Sequence, residues 1–368
     1  MSDTYDETLE AKKAKTMDAT DRKCPACGGV MDFDPITGGL HCPYCDHSEE
    51  IAQENDLGET KAEELDFASA EFTGNCDWGA SKKTVTCKAC GAVSVYDALE
   101  VASECPYCGS NQVMEANDVK TLAPNGVVPF KISVEEAAKR FVSWLAGKWF
   151  CPSKAKQSAK AEAFNGIYLP YWTFDTNTSS SYTAEYGIDR KVRRGGKEEI
   201  VTDWHRTSGT YSEFIDDQLV CGTNSHETGI LNMIEPYNTG DNKAYKPEYL
   251  AGFGAERYSV GLKDAWEKAK MFIKRKLEGA ISSKICEQYR ADHVRNLSVR
   301  TNYADVTYKY LMLPVWISAF TFNGKVYQFM VNGQSGKVGG KYPISPWRVL
   351  IAVVICLIIM MLVLRMAG

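Results

Sequence analysis

The sequence predicts an α+β protein: two small four-cysteine zinc ribbons, an α+β domain with an antiparallel sheet, and one C-terminal transmembrane helix. Three observations predict it. A C-x2-C-x14-C-x2-C pattern occurs twice, 63 residues apart. Residues 118–345 carry helical and strand periodicities of ordinary length. Residues 349–364 form a run of 16 apolar residues without a charge. At 368 residues the chain exceeds one average domain. Its 44% hydrophobic and 24% charged content excludes wholesale disorder and a polytopic membrane protein.

The expected organisation follows the chain. Residues 1–22 are polar, mixed in charge and without an apolar signal segment, and read as a disordered arm. The first ribbon occupies 23–50, an acidic linker that predicts loose coupling 51–83, and the second ribbon 84–117. The α+β domain follows at 118–345 and the transmembrane anchor at 346–368. Within the domain, Ser133 and Glu136 form a capping box before an amphipathic helix at 134–146. Strands are expected at 167–175, 180–186, 306–313, 315–322 and 326–331, with further strand in 199–214. The longest helical pattern is 262–289, where Leu262, Ala265, Trp266, Ala269, Phe272, Ile273 and Leu277 share one stripe. Asn323-Gly324 is a type I′ hairpin signal. Leu169-Pro170-Tyr171-Trp172 and Leu313-Pro314-Val315-Trp316 lie 144 residues apart, each after a helix. A duplicated helix-plus-strand unit and chance similarity are equally open on the sequence alone.

Cys24, Cys27, Cys42 and Cys45 make the first set, and Cys87, Cys90, Cys105 and Cys108 the second. Each C-x2-C knuckle presents two sulfurs from one tight turn, and two knuckles complete a tetrahedron of thiolates around zinc. Gly28, Gly91 and Gly109 follow the second cysteine of their knuckles, where a positive φ is wanted; Asp46 holds that place in the fourth. Four protein sulfurs close the coordination shell, so both expected zinc ions are structural rather than catalytic. Disulfides would need an oxidising compartment, and a thioredoxin-type pair would not come in matched sets. His41 and His47 read as bystanders. Cys76, Cys151, Cys221, Cys286 and Cys356 read as small buried hydrophobes.

The net charge of −5 is unevenly spread. Residues 1–117 hold nine basic and 23 acidic side chains, a net of −14, and residues 118–368 carry the balancing +9. An acidic front argues against non-specific nucleic-acid binding there. There is no phosphate-binding loop, H-E-x-x-H, G-x-S-x-G or G-x-G-x-x-G. His205 beside Asp203 and Arg206 reads first as a surface strand, and Tyr168, Tyr171, Trp172 and Phe174 as core. At ~1.5 Å per residue the apolar run covers ~24 Å, short of a ~30 Å hydrocarbon core. Trp347, Arg348 and Arg365 at its ends suit the interface. Lys337, Lys341 and Arg348 precede the span and only Arg365 follows it, so the bulk of the chain is expected in the cytosol.

The chain resembles a family of bacterial membrane-anchored double zinc-ribbon proteins, often labelled TFIIB-type zinc ribbon or primosomal protein N′ (replication factor Y)-like. The residues that carry the resemblance are the two ribbons, Val128-Pro129-Phe130, Gly147-Lys148-Trp149-Phe150 and the two Leu-Pro-x-Trp motifs. Further matches are Tyr249-Leu250-Ala251-Gly252-Phe253, Ala255-Glu256-Arg257-Tyr258 and Val331-Asn332-Gly333-Gln334-Ser335-Gly336-Lys337. Lys88 stands where a proline is usual, and Asp46 where a glycine is. The resemblance implies a cytosol-facing membrane protein, part of a membrane-associated or envelope-stress complex, without nucleotide chemistry. The expected role is a non-enzymatic adaptor or scaffold for protein partners, anchored in the lipid bilayer through 347–367. Two alternatives remain at this level: a nucleic-acid binder using Lys82, Lys83 and Lys88, and an enzyme in 118–345 gathering His205, Asp203 and Glu227.

Overall fold

A computed structural model describes residues 23–51, 61–70, 82–87, 93–97, 113–115, 124–158, 164–194, 197–224 and 226–367. The arm expected at 1–22 and most of the second ribbon expected at 84–117 lie outside these residues. The first ribbon is a three-stranded antiparallel sheet of β1 (Asp32–Phe33), β2 (Leu40–His41) and β3 (Ser48–Glu49). It is followed by β4 (Leu65–Asp66), β5 (Lys82–Cys87), β6 (Val93–Asp97), β7 (Val113–Glu115) and β8 (Gly126–Val127). Next come α1 (Val134–Ala146) and the short α2 (Ser153–Ser158). Strands β9 (Asn165–Arg194) and β10 (Lys197–Cys221) precede α3 (Thr228–Ile234), β11 (Lys243–Ala244) and β12 (Gly254–Glu256). Helix α4 (Leu262–Tyr289), β13 (His293–Phe322), β14 (Lys325–Asn332), β15 (Val338–Gly340) and α5 (Pro346–Ala367) complete the chain. The mixed α+β class, the antiparallel sheet and the single apolar C-terminal helix agree with the sequence reading.

The body is organised around three long antiparallel strands. β9 is paired to β10 on one side and to β13 on the other. At 30 residues, β9 spans about 100 Å, several times a usual strand. The sequence suggested two strands broken at 176–179 because Thr176-Asn177-Thr178-Ser179 is polar. The ladder runs through instead. Thr176 and Thr178 are buried, and their hydroxyls donate to the carbonyls of Ala304 at 2.9 Å and Glu213 at 2.6 Å. Strand irregularities fall at Asp217, Asn296 and Asp305, each a non-glycine residue with φ near +50°. Asp and Asn tolerate that left-handed region best, and the bulges bend the ribbon.

One face of the ribbon packs Trp172, Phe174, Tyr308 and Tyr310 under α4, whose buried stripe is Ala265, Trp266, Ala269, Ile273, Leu277, Ile281 and Ile285. The opposite face packs Ile167, Leu169, Leu311, Leu313 and Val315 against Ile230, Leu231 and Ile234 of α3. Farther along β9, Asn177, Ser179, Ser181 and Thr183 of that face are exposed. The predicted capped helix is α1: the Glu136 amide donates to Ser133 Oγ at 3.4 Å. Asn323 (φ 50°) and Gly324 (φ 73°) make the expected hairpin between β13 and β14.

The hydrogen bonds resolve the repeat in favour of a duplicated unit. Trp172 Nε1 donates to Val260 O and Trp316 Nε1 to Ile132 O, both at 2.9 Å. Each acceptor lies two residues before a helix, α4 and α1 respectively. The Gly222 amide donates to Pro170 O and the Gly333 amide to Pro314 O, both at 2.8 Å. Gly222 O accepts from Ser259 and Val260, and Gly333 O from Lys131 and Ile132. β12 pairs parallel to β9, and β8 pairs parallel to β13. The repeating unit is strand, helix, Leu-Pro-x-Trp strand and return strand. The entry strand of each copy pairs with the long strand of the other. Glycine is required at the joint: a Cβ on Gly333 would sit 2.5 Å from the Phe130 ring and 2.7 Å from Pro314 Cβ.

The stretch 61–70, read from sequence as acidic linker, is part of the body. Leu65 and Asp66 pair with Tyr308 and Thr307. Phe67 lies 5.8 Å from the Trp266 ring and 6.3 Å from Phe174.

Candidate metal centre

The first ribbon folds because its two knuckles make the same turn. Gly28 N donates to Cys24 O at 2.7 Å and Asp46 N to Cys42 O at 3.0 Å. The amides of Cys24 and Cys42 in turn donate to Gly29 O and His47 O at 2.7 and 2.8 Å. Gly28 has φ +75°, and Asp46 adopts φ 58° at the matching place. Asp46 therefore takes the left-handed turn expected of it, at a steric cost glycine avoids.

These turns aim four sulfurs at one point. The Cys24 and Cys45 sulfurs are 3.5 Å apart, as are those of Cys27 and Cys42. All four lie within 4.8 Å of one another. A Zn–S bond of ~2.3 Å implies a tetrahedral edge of ~3.8 Å, which these separations bracket. The group is able to hold a metal ion, and its all-thiol chemistry suits zinc. Cys24 and Cys42 are buried, Cys27 and Cys45 exposed.

Electrostatics favours a cation. Burial opposes the Cys42 thiolate, but the amides of Tyr44 and Cys45 and the neighbouring thiols of Cys27 and Cys45 outweigh it and bring Cys42 to about 7. For Cys45 the His47 amide pulls down, yet the sulfurs of Cys27, Cys24 and Cys42 prevail and push it up to about 12. Four adjacent thiols resist full ionisation because the charges repel; a central dication removes that opposition. His41 and His47 stay outside the group: His41 Nδ1 is 3.2 Å from Ser48 Oγ and His47 Nε2 is 3.3 Å from Glu49 Oε1.

The ribbon is docked on the body. Phe33 N donates to Ala251 O at 3.1 Å, and the Phe33 ring lies 5.7 Å from Tyr249 and 6.4 Å from Phe253. Met31, Phe33, Leu40, Cys24 and Cys42 belong to the main core. Of the second set, Cys87 ends β5; Cys90, Cys105 and Cys108 lie outside the described residues. β6 nevertheless joins the body sheet, pairing with β12 through Ala255–Val95 and Glu256–Ser94.

The other residues singled out from sequence do not gather. Asp203 pairs with Arg190 at 2.6 Å, the His205 ring lies 5.2 Å from Tyr186, and Glu227 pairs with Lys341 at 2.6 Å. Tyr168, Tyr171, Trp172 and Phe174 are buried. His226 meets Glu256, with Nε2 3.0 Å from Oε2 and both side chains buried. Their separation of 30 positions carries no spacing signal.

Sequence reasoning also missed an acidic group. Carboxylate oxygens of Asp175, Asp216 and Asp217 lie within 4.8 Å of one another. Lys309 supplies a cation there: Nζ lies 2.8 Å from Asp217, 3.4 Å from Asp175 and 3.2 Å from Glu64. Burial pushes Asp175 up to about 6 despite the Asp217 amide and Lys309.

The C-terminal helix contains one stretch, Pro346–Arg365, long and apolar enough to cross a membrane, with mean hydropathy 2.9 and none of it buried.

No family model matches the chain, and no solved structure matches it. It is similar to a Bacillus subtilis (strain 168) protein described as "Uncharacterized protein YdjG". The two are 29% identical over 339 residues, 89% of this chain and 91% of that protein. Coverage of that extent takes in the α+β body as well as cysteine-rich sequence.

Proposed function

We propose that this chain is a membrane-anchored, cytosol-facing zinc-ribbon adaptor that binds protein partners and performs no catalysis. The observation that carries the reading is the four-sulfur group of Cys24, Cys27, Cys42 and Cys45. It closes a metal's coordination shell with protein atoms and leaves no open position for water or substrate. The second ribbon, with Cys87, Cys90, Cys105 and Cys108, repeats that ligand set, giving two zinc ions per chain. Two zinc–tetrathiolate centres at −2 each take the front from −14 to about −18. Such a front suits basic protein surfaces better than phosphate backbones.

Function is tested with the detergent-solubilised full chain loaded with zinc. Partners captured by the chain are expected to be proteins, with Cys42→Ser weakening their capture. No binding to duplex or single-stranded DNA is expected at ~150 mM salt, where the Debye length is ~8 Å. Micromolar DNA binding abolished by Lys82→Glu and Lys83→Glu would replace the adaptor reading with a nucleic-acid-binding one.

The anchor has its own expected result. The full chain should pellet with membranes and resist a carbonate wash, whereas a chain ending at Tyr342 should fractionate as a soluble protein. Equal fractionation of the two removes the anchor. The excess of Lys337, Lys341 and Arg348 over Arg365 supports the cytosolic orientation. Protease added outside intact cells should accordingly leave the body uncut.

A further inference from the structure

We infer that the turn between α1 and α2, residues 147–152, is a second lipid contact that seats Trp149 and Phe150 in the interfacial layer of the bilayer crossed by α5. The inference rests on the membrane-anchor reading and adds to it a surface of the body.

The turn is tied to the helix. Arg348 Nη1 donates to Trp149 O at 2.6 Å and Cys151 O at 2.7 Å, and its Nη2 to Ser153 Oγ at 2.9 Å. The Ser345 amide donates to Phe150 O at 2.9 Å. Four hydrogen bonds therefore join 149–153 to the first turn of α5 and the residue that precedes it. A helix that enters the bilayer carries this turn to the surface with it.

The side chains there suit that position. Trp149 is 50% exposed, Ile344 62% and Trp347 72%. Large apolar residues exposed together mark an interaction surface. Phe150 and Ile344 line an open groove of about 440 Å³ with Val349, Val353 and Leu357 of α5. Phe150 thus lies level with the beginning of the uncharged run, at the depth of the upper acyl chains. Tryptophan prefers the layer just above, where its ring is partly apolar and its N–H is hydrated.

The length of the uncharged run favours the contact. Sixteen uncharged residues cover ~24 Å of a ~30 Å hydrocarbon core. A short span is met by thinning the bilayer or by drawing flanking residues in. Trp149, Phe150, Ile344 and Trp347 are the flanking residues able to be drawn in without burying charge.

Charge selects lipid as the occupant over another protein's apolar face. Residues 137–161 hold six Lys or Arg and no Asp or Glu, and residues 323–348 hold four and none. Basic side chains around an aromatic collar match anionic headgroups above acyl chains. A second copy of α5 in the groove would bring its own flanking Arg348 against this positive rim.

The test uses full-length protein in anionic liposomes containing lipids brominated near the top of the acyl chain, which quench nearby tryptophan. Carbonate-resistant pelleting first establishes insertion. The chain has eight tryptophans. Trp149→Phe and Trp347→Phe are each expected to remove about one tryptophan's share of the quenchable emission. Loss with Trp347→Phe but none with Trp149→Phe would show an inserted helix with a turn left in water, and overturns the inference alone. Trp149 shielded from lipid in a cross-linked dimer overturns it too, in favour of a second copy. A protein washed off by carbonate overturns the anchor reading and this inference together.

Discussion

Cys42→Ser is expected to cost the chain one zinc ion and the fold of its first ribbon. Elemental analysis should give two zinc ions per wild-type chain and one per variant. The reason for a large effect is the balance of terms in so small a unit. The described strands β1, β2 and β3 have two residues each, and the buried apolar side chains of the ribbon are chiefly Met31, Phe33 and Leu40. Structural zinc contributes about 10–16 kcal/mol in isolated zinc-finger peptides, far more than three apolar side chains supply. Serine leaves the turn but removes the soft ligand, so a zinc ion would be held by three sulfurs at best. Docking transmits the loss. Phe33 packs on Tyr249 and Phe253, and its amide bonds Ala251. The variant should expose 23–50 to limited proteolysis and lower the melting temperature of the body by a few degrees, at ~1 kcal/mol per lost contact. An unchanged metal ratio would remove the first ribbon as a zinc site.

What could be read in advance divides by sequence distance. The knuckles were legible because each pair of ligands is four residues from end to end and a turn is a local matter. The capping box of α1, the stripe of α4 and the Asn323-Gly324 hairpin were legible for the same reason. The length of β9 and β13 was not. Thr176 and Thr178 fall in the polar gap between the expected strands 167–175 and 180–186, yet they sit beneath α4 with their hydroxyls bonded inward. Such satisfaction depends on strands more than 30 residues away. The packed stretch 61–70 reads as linker because it lies in a longer segment, 48–71, that is mostly acidic and polar. Phe67 and Leu65, half-buried against Trp266 and Tyr308, decide the matter once the body exists. The duplication was half-legible: two Leu-Pro-x-Trp motifs are visible, but Gly222 and Gly333, which complete the joints, share no obvious surrounding motif.

The least legible group carries the second large expectation. Lys309→Met should destabilise the body by about 3–5 kcal/mol near neutral pH, the usual cost of removing one partner from a buried ion pair. Lys309 comes from β13, Asp175 from β9, Asp217 from the β10 bulge and Glu64 from the strand-forming stretch before β4. The lysine side chain is 6% exposed and that of Asp175 3%. Burial alone would lower the Lys309 ammonium, but Asp217, Asp175 and Glu64 outweigh it and hold it above the usual lysine range. Without the lysine, Asp175 and Asp217 face each other with no cation between them. The pH dependence follows from Asp175, whose carboxyl is raised to about 6 from 3.8. A raised acid binds its proton more tightly folded than unfolded. Its favourable contribution is therefore full below about pH 4 and fades as pH rises through 6. In the variant the proton becomes more important still, so the destabilisation should be larger at pH 7 than at pH 5. Asp175→Asn added to Lys309→Met should recover part of the loss at pH 7, because it removes one of two opposed charges while keeping the Asp217 amide's acceptor. Chemical denaturation of the wild type, Lys309→Met, Asp175→Asn and the double variant at both pH values measures this coupling directly. A Lys309→Met penalty that is pH-independent and unrelieved by Asp175→Asn would assign the effect to lost packing of the lysine's aliphatic stem.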